Sequence, residues 1–72
     1  MQDISNILIK IGQKVLLRRR ELNLTQDELA VLADIDRTYI GYIENGKQNI
    51  SISVLIKLAR ALDVEPNYFF NE

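Results

Sequence analysis

Apolar positions recur at helical spacing through most of the chain. In the first third, one stripe has intervals of three or four residues, formed by Ile4, Leu8, Ile11 and Val15. A second stripe near the C-terminal end contains Ile52, Leu55, Leu58, Ala59 and Leu62. These patterns predict a first helix from Ile4 to about Arg20 and a further amphipathic helix late in the chain, each with one face on a shared core.

Capping residues divide the middle of the chain. The run Thr25-Gln26-Asp27-Glu28 is typical of a capping box, which predicts a second helix running to about Ala33. Asp34-Ile35 is long enough only for a tight turn, and Asp36 is a good N-cap for a third helix that points Ile40 and Ile43 inward.

Residues that end or begin helices also mark the rest of the chain. Asn45-Gly46 ends the third helix, Ser51 caps the fourth, and Pro66 suits the first turn of a short fifth helix. We therefore expect residues 1–72 to form a single domain, an all-α, compact five-helix bundle.

The composition of the chain excludes several classes of site and activity. The 72 residues are 47% apolar and include no cysteine and no histidine, which excludes disulfides, ordinary zinc sites and cysteine or histidine catalysis. There is also no glycine-rich phosphate loop and no carboxylate cluster with metal spacing, so we expect neither an enzyme nor a bound metal or cofactor. No apolar stretch approaches the roughly twenty residues of a membrane span, so we expect a cytoplasmic protein with no membrane partner.

Charge is the one compositional feature that opposes nucleic-acid binding, because the net charge is −1. The distribution is uneven. The first third is crowded with the cations Lys10, Lys14, Arg18, Arg19 and Arg20, while the other end carries the acids Asp63, Glu65 and Glu72. The folded domain is therefore able to present one basic face despite its total charge.

The segment Thr25 to Asn45 has the proportions of a helix-turn-helix, in which the second helix lies in the major groove of DNA. Its outward face is polar but hardly charged, and contains Thr38, Gly41, Tyr42 and Asn45, flanked by Arg37 and Tyr39. Arg37 opposes the helix dipole, and Gly41 costs about 1 kcal/mol relative to alanine, so a helix built only for stability would avoid both. The alternative is that these are ordinary surface residues, that Gly41 serves helix packing, and that the tyrosines cover the core.

The combined pattern resembles the Cro and phage-repressor helix-turn-helix family over almost the entire chain. The residues that carry the resemblance are Gly12, Arg19, Leu24-Thr25-Gln26-x-x-Leu29-Ala30, Asp36-Arg37-Thr38-Tyr39-Ile40, Ile43-Glu44-Asn45-Gly46-Lys47, Leu55-x-x-Leu58-Ala59-x-Ala61-Leu62 and Val64. Within the family, residues 36–40 with Asn49 and Ser51 are most similar to controller proteins of restriction-modification systems. The chain departs from the family at Asp34, where the turn usually has glycine, and at Ile50, where the loop usually has proline.

The resemblance implies specific roles. It implies that Arg37 and Thr38 read base edges, and that the DNA backbone or flanking bases are contacted by Gln26, Tyr39, Asn45, Lys47, Gln48 and Asn49. From their places on the third helix, we also expect Tyr39 to read bases and Gly41 and Tyr42 to contact the backbone or flanking bases. For Lys47 and Gln48, a plain loop is an equal alternative. Gln26 also braces the recognition helix, and Arg19 and Glu44 form an ion pair that ties the first helix to the end of the third.

The C-terminal part of the chain has more apolar residues than one small core can bury. This excess predicts a homodimer, which would bind two-fold related half-sites on DNA. The candidate interface residues are Ile56, Tyr68, Phe69 and Phe70, and the alternative is that some of them simply close the core. The resemblance implies a controller that regulates its own gene and a restriction endonuclease gene, with no small-molecule ligand and with concentration as its input. A simple phage-type or antitoxin-type repressor is the alternative. Activation would require a contact with RNA polymerase, for which Asp27, Glu28 or Asp34 are candidates, although capping explains these acids equally well.

Overall fold

The computed structural model describes residues 3–71, which contain helices and no strand. In chain order the elements are α1 (Ile4–Glu21), α2 (Gln26–Ala33), α3 (Arg37–Glu44), α4 (Ile52–Ala61) and a 3₁₀ helix (Pro66–Phe70). The all-helical prediction is therefore confirmed, but the prediction of five α-helices is wrong, because the described residues form four. The last element has only five residues, and the amide of Tyr68 donates to the carbonyl of Glu65, the three-residue spacing of a 3₁₀ turn.

Side-chain caps set the helix starts as the sequence predicts. The Thr25 hydroxyl accepts from the amide of Glu28 at 3.0 Å, and the Glu28 carboxylate accepts from the amide of Thr25 at 2.8 Å. Asp36 accepts from the amide of the second residue of α3, and Ser51 accepts from the amide of Val54 in α4.

Left-handed residues set the helix ends. Asn23 follows α1 with a φ of 58°, and Asp34 follows α2 with a φ of 57°. Asparagine and aspartate tolerate this region better than other residues with a Cβ, because their short polar side chains bond locally. Asp34 therefore makes the turn between α2 and α3 without the glycine usual in the family.

All four α-helices and the 3₁₀ helix contribute side chains to one core. Its largest fully buried side chains are Val15, Leu29, Ile40, Ile43, Leu58, Leu62 and Phe69. Three members of the predicted stripes are not in it: Leu8 is only partly buried, and Ile4 and Ile52 are 56% and 74% exposed. Ile4 and Ile52 are the first residues of their helices, and the buried stripe begins at Ile11 in α1 and at Leu55 in α4.

The crossing of α1 and α3 is close at Gly12. A Cβ at this position would lie 2.9 Å from the Glu44 carbonyl oxygen and still closer to that of Ile43. Glycine thus lets the two backbones approach, which brings the C-terminal end of α3 against α1. Among the described residues, no helix combines the length and apolar character needed to cross a membrane.

Candidate nucleic-acid interface

Helix α3 has one buried face and one exposed face. Ile40 and Ile43 are completely buried, whereas Thr38, Tyr42 and Asn45 are exposed. The turn through Asp34 leads directly from α2 into α3, so the two helices have the connection expected of a helix-turn-helix. The polar outer face predicted from the sequence is therefore available for a ligand.

Arg37 begins α3 with a largely exposed side chain. Its Nε donates to the Asp27 carboxylate of α2 at 3.1 Å. This pair partly offsets the unfavourable position of a cation in the first turn of a helix. Thr38, the next residue, is also exposed, and its backbone amide donates to Asp36.

The two tyrosines of α3 have different surroundings. Tyr39 is partly buried and packs against the core, while Tyr42 is 47% exposed. Tyr39 therefore contributes to packing. Tyr42 exposes more of its ring to solvent.

Gly41 faces open space. A Cβ built on it would meet no atom of the described chain within 4 Å, so packing inside the domain does not require glycine here. The open space leaves room for another molecule to approach the backbone of α3 closely.

The open space beside Gly41 leads to a prediction for Gly41→Ala. We expect the substitution to raise the free energy of unfolding by about 0.5–1 kcal/mol, because alanine is the better helix former and has room. We expect it to weaken DNA binding at the same time. Urea denaturation and a binding titration on the same variant measure the two effects, and a more stable protein with unchanged DNA affinity would contradict the close approach.

The loop after α3 adds polar groups to this surface. The Asn45 amide donates to the Gly41 carbonyl at 2.9 Å and so helps to end the helix. Gly46 has a φ of +71° and lies tightly against Ile9 of α1. After this turn, Lys47 and Asn49 are exposed and Gln48 is partly buried.

A hydrogen-bonded cluster fixes the far end of α3. Arg19 Nε and Nη2 donate to the two carboxylate oxygens of Glu44 at 2.6 and 3.0 Å, and Arg19 Nη1 donates to the Leu24 carbonyl. The Gln26 side-chain amide donates to Glu44 Oε1 at 2.8 Å and so joins the start of α2 to the last residue of α3. The hydrogen bond from Arg19 to Glu44 raises the pKa of Arg19 above its ordinary value, so this guanidinium stays charged throughout the usual pH range.

Three of the α1 cations serve the fold. Arg19 pairs with Glu44, Arg18 Nε donates to the Leu62 carbonyl at 2.9 Å, and the Lys14 ammonium lies 5.0 Å from the centre of the Tyr68 ring. Part of the positive charge crowded into the first third of the sequence is therefore engaged in contacts between elements. On α3 and the loop after it, the outward cations are Arg37 and Lys47.

The four candidate dimer residues do not share one environment. Phe69 is completely buried and contacts Tyr68 edge-to-face, which corrects its assignment, because a core side chain offers no surface to a second chain. Tyr68 and Ile56 are partly buried, and Phe70 is 54% exposed. The sequence pattern assigns Ile52 to the core, but its side chain is on the surface one helical turn before Ile56.

Comparison with known proteins agrees with this geometry. Residues 16–69 match the helix-turn-helix family. The control protein C.BamHI of Bacillus amyloliquefaciens is 41% identical over 63 residues, which are 86% of this chain and 78% of that protein. The chain belongs to this family of control proteins. The family consists of transcriptional regulators rather than enzymes, as the sequence predicts.

Solved structures of the family extend the comparison. The restriction-modification controller protein C.AhdI of Aeromonas hydrophila has a TM-score of 0.85 at 43% identity, covering 88% of this chain and 96% of that one. The controller C.Esp1396I, solved as a tetramer with its natural 35 base-pair operator, has a TM-score of 0.81 at 34% identity, covering 89% of this chain and 84% of that one.

Proposed function

We propose that this protein binds a specific duplex DNA site through α3 and controls transcription of its own gene and of a restriction endonuclease gene, with residues 1–72 acting as one domain. The observation that carries the proposal is the division of α3 between a fully buried face and an outer face that begins with exposed Arg37. The similarity to control proteins, one of them solved on its operator, supports the same function.

The base-reading residues in this proposal are Arg37, Thr38 and Tyr39. The planar guanidinium of arginine pairs with guanine O6 and N7 in the major groove, and threonine contacts either a polar base edge or a thymine methyl group. Gly41 and Tyr42 continue the same face of α3 toward the flanking bases.

Contacts with the DNA phosphate backbone fix the position of the protein on the duplex but do not distinguish one base sequence from another. We assign them to the start of α2 and to the end of α3 with its following loop, namely Gln26, Asn45, Lys47, Gln48 and Asn49. Gln26 is the first residue of α2, where the helix dipole and free amides favour a phosphate. Its side chain already donates to Glu44, so a phosphate bound there would be linked to the position of α3.

A homodimer is the second part of the proposal. Two copies related by a two-fold axis would place two α3 helices in successive major grooves, about one helical turn apart. Two such dimers would span about three turns between their outer half-sites, or roughly 31 base pairs. That length fits within the 35 base-pair operator on which the C.Esp1396I tetramer was solved.

The exposed apolar side chains predict where the dimer forms. Ile52 and Ile56 lie one turn apart on α4, and Phe70 is exposed at the end of the 3₁₀ helix. We expect Ile52→Ser with Phe70→Ser to shift sedimentation at tens of micromolar toward monomer, while the wild type sediments as a dimer. Val31→Ser is the matched control, because Val31 is 81% exposed on α2. A wild type that is monomeric, or a double variant that dimerises as well as the control, would contradict this interface.

Activation requires a further contact with RNA polymerase. Of the three candidate acids, Asp27 pairs with Arg37 and Glu28 closes the capping box. Asp34 is exposed at the turn, so we propose it as the acid most available to a polymerase subunit.

The regulatory proposal is tested on DNA from immediately upstream of the coding sequence. We expect a footprint of two adjacent protected sites, and a reporter whose output first rises and then falls as the protein is titrated. Two dimers that assemble stepwise produce this behaviour by mass action. A single protected site with output that only falls would instead identify a simple repressor, and no protection would contradict operator binding at this locus.

A further inference from the structure

An ion pair on the outer surface joins the first turns of α2 and α3. The Asp27 carboxylate accepts from Arg37 Nε at 3.1 Å, and the two side chains are 80% and 58% exposed. An exposed pair of this kind contributes little to folding stability. Its main consequence is therefore the position of the guanidinium that we assign to base reading.

The atom that Asp27 engages restricts how Arg37 can bind a base. A guanidinium has five N–H groups in a fixed plane, one on Nε and two on each Nη. With Nε donating to Asp27, the edge formed by Nη1 and Nη2 keeps two parallel donors. That edge matches the paired O6 and N7 acceptors of guanine.

Asp27 belongs to a different helix from Arg37. It lies in the first turn of α2, where the positive end of the helix dipole favours a carboxylate. A carboxylate whose backbone is set by α2 gives the longer Arg37 side chain a preferred direction, and it also cancels part of the attraction of that cation for phosphates of any sequence.

We propose that Asp27 is a specificity-determining residue that positions Arg37, presenting its Nη edge to a base pair and reducing binding to unrelated DNA. This inference rests on the proposed function of Arg37 as a base reader. Asp27 itself acts through Arg37 and needs no contact with DNA.

The test compares dissociation constants for two duplexes of equal length, the footprinted upstream site and a scrambled sequence. The full-length chain is measured as wild type, Asp27→Ala, Asp27→Asn and Arg37→Ala, and as the double variant Asp27→Ala with Arg37→Ala. Asp34→Asn is the matched control: it removes an acid from the groove that Asp27 and Arg37 also line, and asparagine tolerates the same left-handed backbone.

We expect Asp27→Ala to tighten binding to the scrambled duplex and to lower the ratio of specific to scrambled affinity by about threefold to tenfold, a part of what a full bidentate contact supplies. Asp27→Asn should lower the ratio in the same direction. Asp34→Asn should tighten binding to both duplexes alike and leave the ratio within about twofold, because it removes only a general repulsion. In the Arg37→Ala background, adding Asp27→Ala should leave the ratio unchanged.

Two results would overturn the positioning role while the base-reading role of Arg37 survives. One is an Asp27→Ala ratio no different from that of Asp34→Asn. The other is a fall in the ratio that is equally large with and without Arg37. An Arg37→Ala variant that retains the wild-type ratio would instead overturn the base-reading role, and this inference with it.

Discussion

Glu44→Ala is expected to lower the free energy of unfolding by about 3 kcal/mol, because it breaks a partly buried ion pair and leaves one partner behind. The Glu44 side chain is 4% exposed and receives two hydrogen bonds from Arg19, which is 11% exposed. Removing the carboxylate leaves the Arg19 guanidinium, which is largely shielded from water, without its partner. It also leaves the Gln26 amide without its acceptor. Urea denaturation followed by circular dichroism measures the loss.

Glu21→Ala provides the matched control. Glu21 also pairs with an arginine, at 3.2 Å from Arg18, but its side chain is 61% exposed. We expect its removal to cost less than about 1 kcal/mol, because water screens the pair and replaces it. The double variant of Glu44 and Arg19 should lose less than the sum of the single losses, since it leaves no stranded charge. If Glu44→Ala and Glu21→Ala lowered the free energy of unfolding equally, the pair between Arg19 and Glu44 would stabilise the fold no more than an exposed pair does.

Local features of the fold were predictable from the sequence. The Thr25–Glu28 capping box and the Asp36 and Ser51 caps depend on residues two or three positions apart, and the structure has all of them. The turn at Asp34 depends on the tolerance of one residue for a left-handed backbone. Helix starts and the helix-turn-helix connection therefore follow from short-range chemistry.

Features that depend on tertiary packing were not predictable in the same way. Ile52 and Phe69 have similar apolar character, yet one is 74% exposed and the other is fully buried, because their burial depends on where the ends of α4 and the 3₁₀ helix meet the core. The reason for Gly12 is equally non-local, since the carbonyl groups that exclude a Cβ belong to α3. The pairing of Arg19 with Glu44 spans 25 residues, and only the family resemblance suggested it.

The candidate interface was predictable in its residue types but not in its internal contacts. The sequence suggested Asp27 as a residue of a helix start and Arg37 as a base reader, each for its own reason. Their hydrogen bond depends on the angle between α2 and α3, which the turn residues alone do not specify. Helical periodicity likewise does not show that Arg18 and Lys14, while keeping their charge, contact Leu62 and Tyr68.

Arg37→Ala is expected to reduce discrimination between the specific and scrambled duplexes by roughly fivefold to 150-fold, the equivalent of about 1–3 kcal/mol. The Arg37 side chain is 58% exposed and its ion pair with Asp27 lies on the surface, so the fold should keep its stability. Any loss of binding would then come from the interface. Titrations with both duplexes, at two salt concentrations, separate the loss of base reading from a loss of general attraction.

Lys47→Ala supplies the contrast that makes this result interpretable. Lys47 is exposed in the loop after α3, where we assign it to a phosphate, so its removal should weaken binding to both duplexes by a similar factor. Removing one phosphate contact should also reduce the slope of log affinity against log salt by about one. Arg37→Ala should instead weaken the specific complex far more than the scrambled one. If both variants weakened the two duplexes equally, Arg37 would be a second phosphate contact, and base reading would have to come from elsewhere on α3.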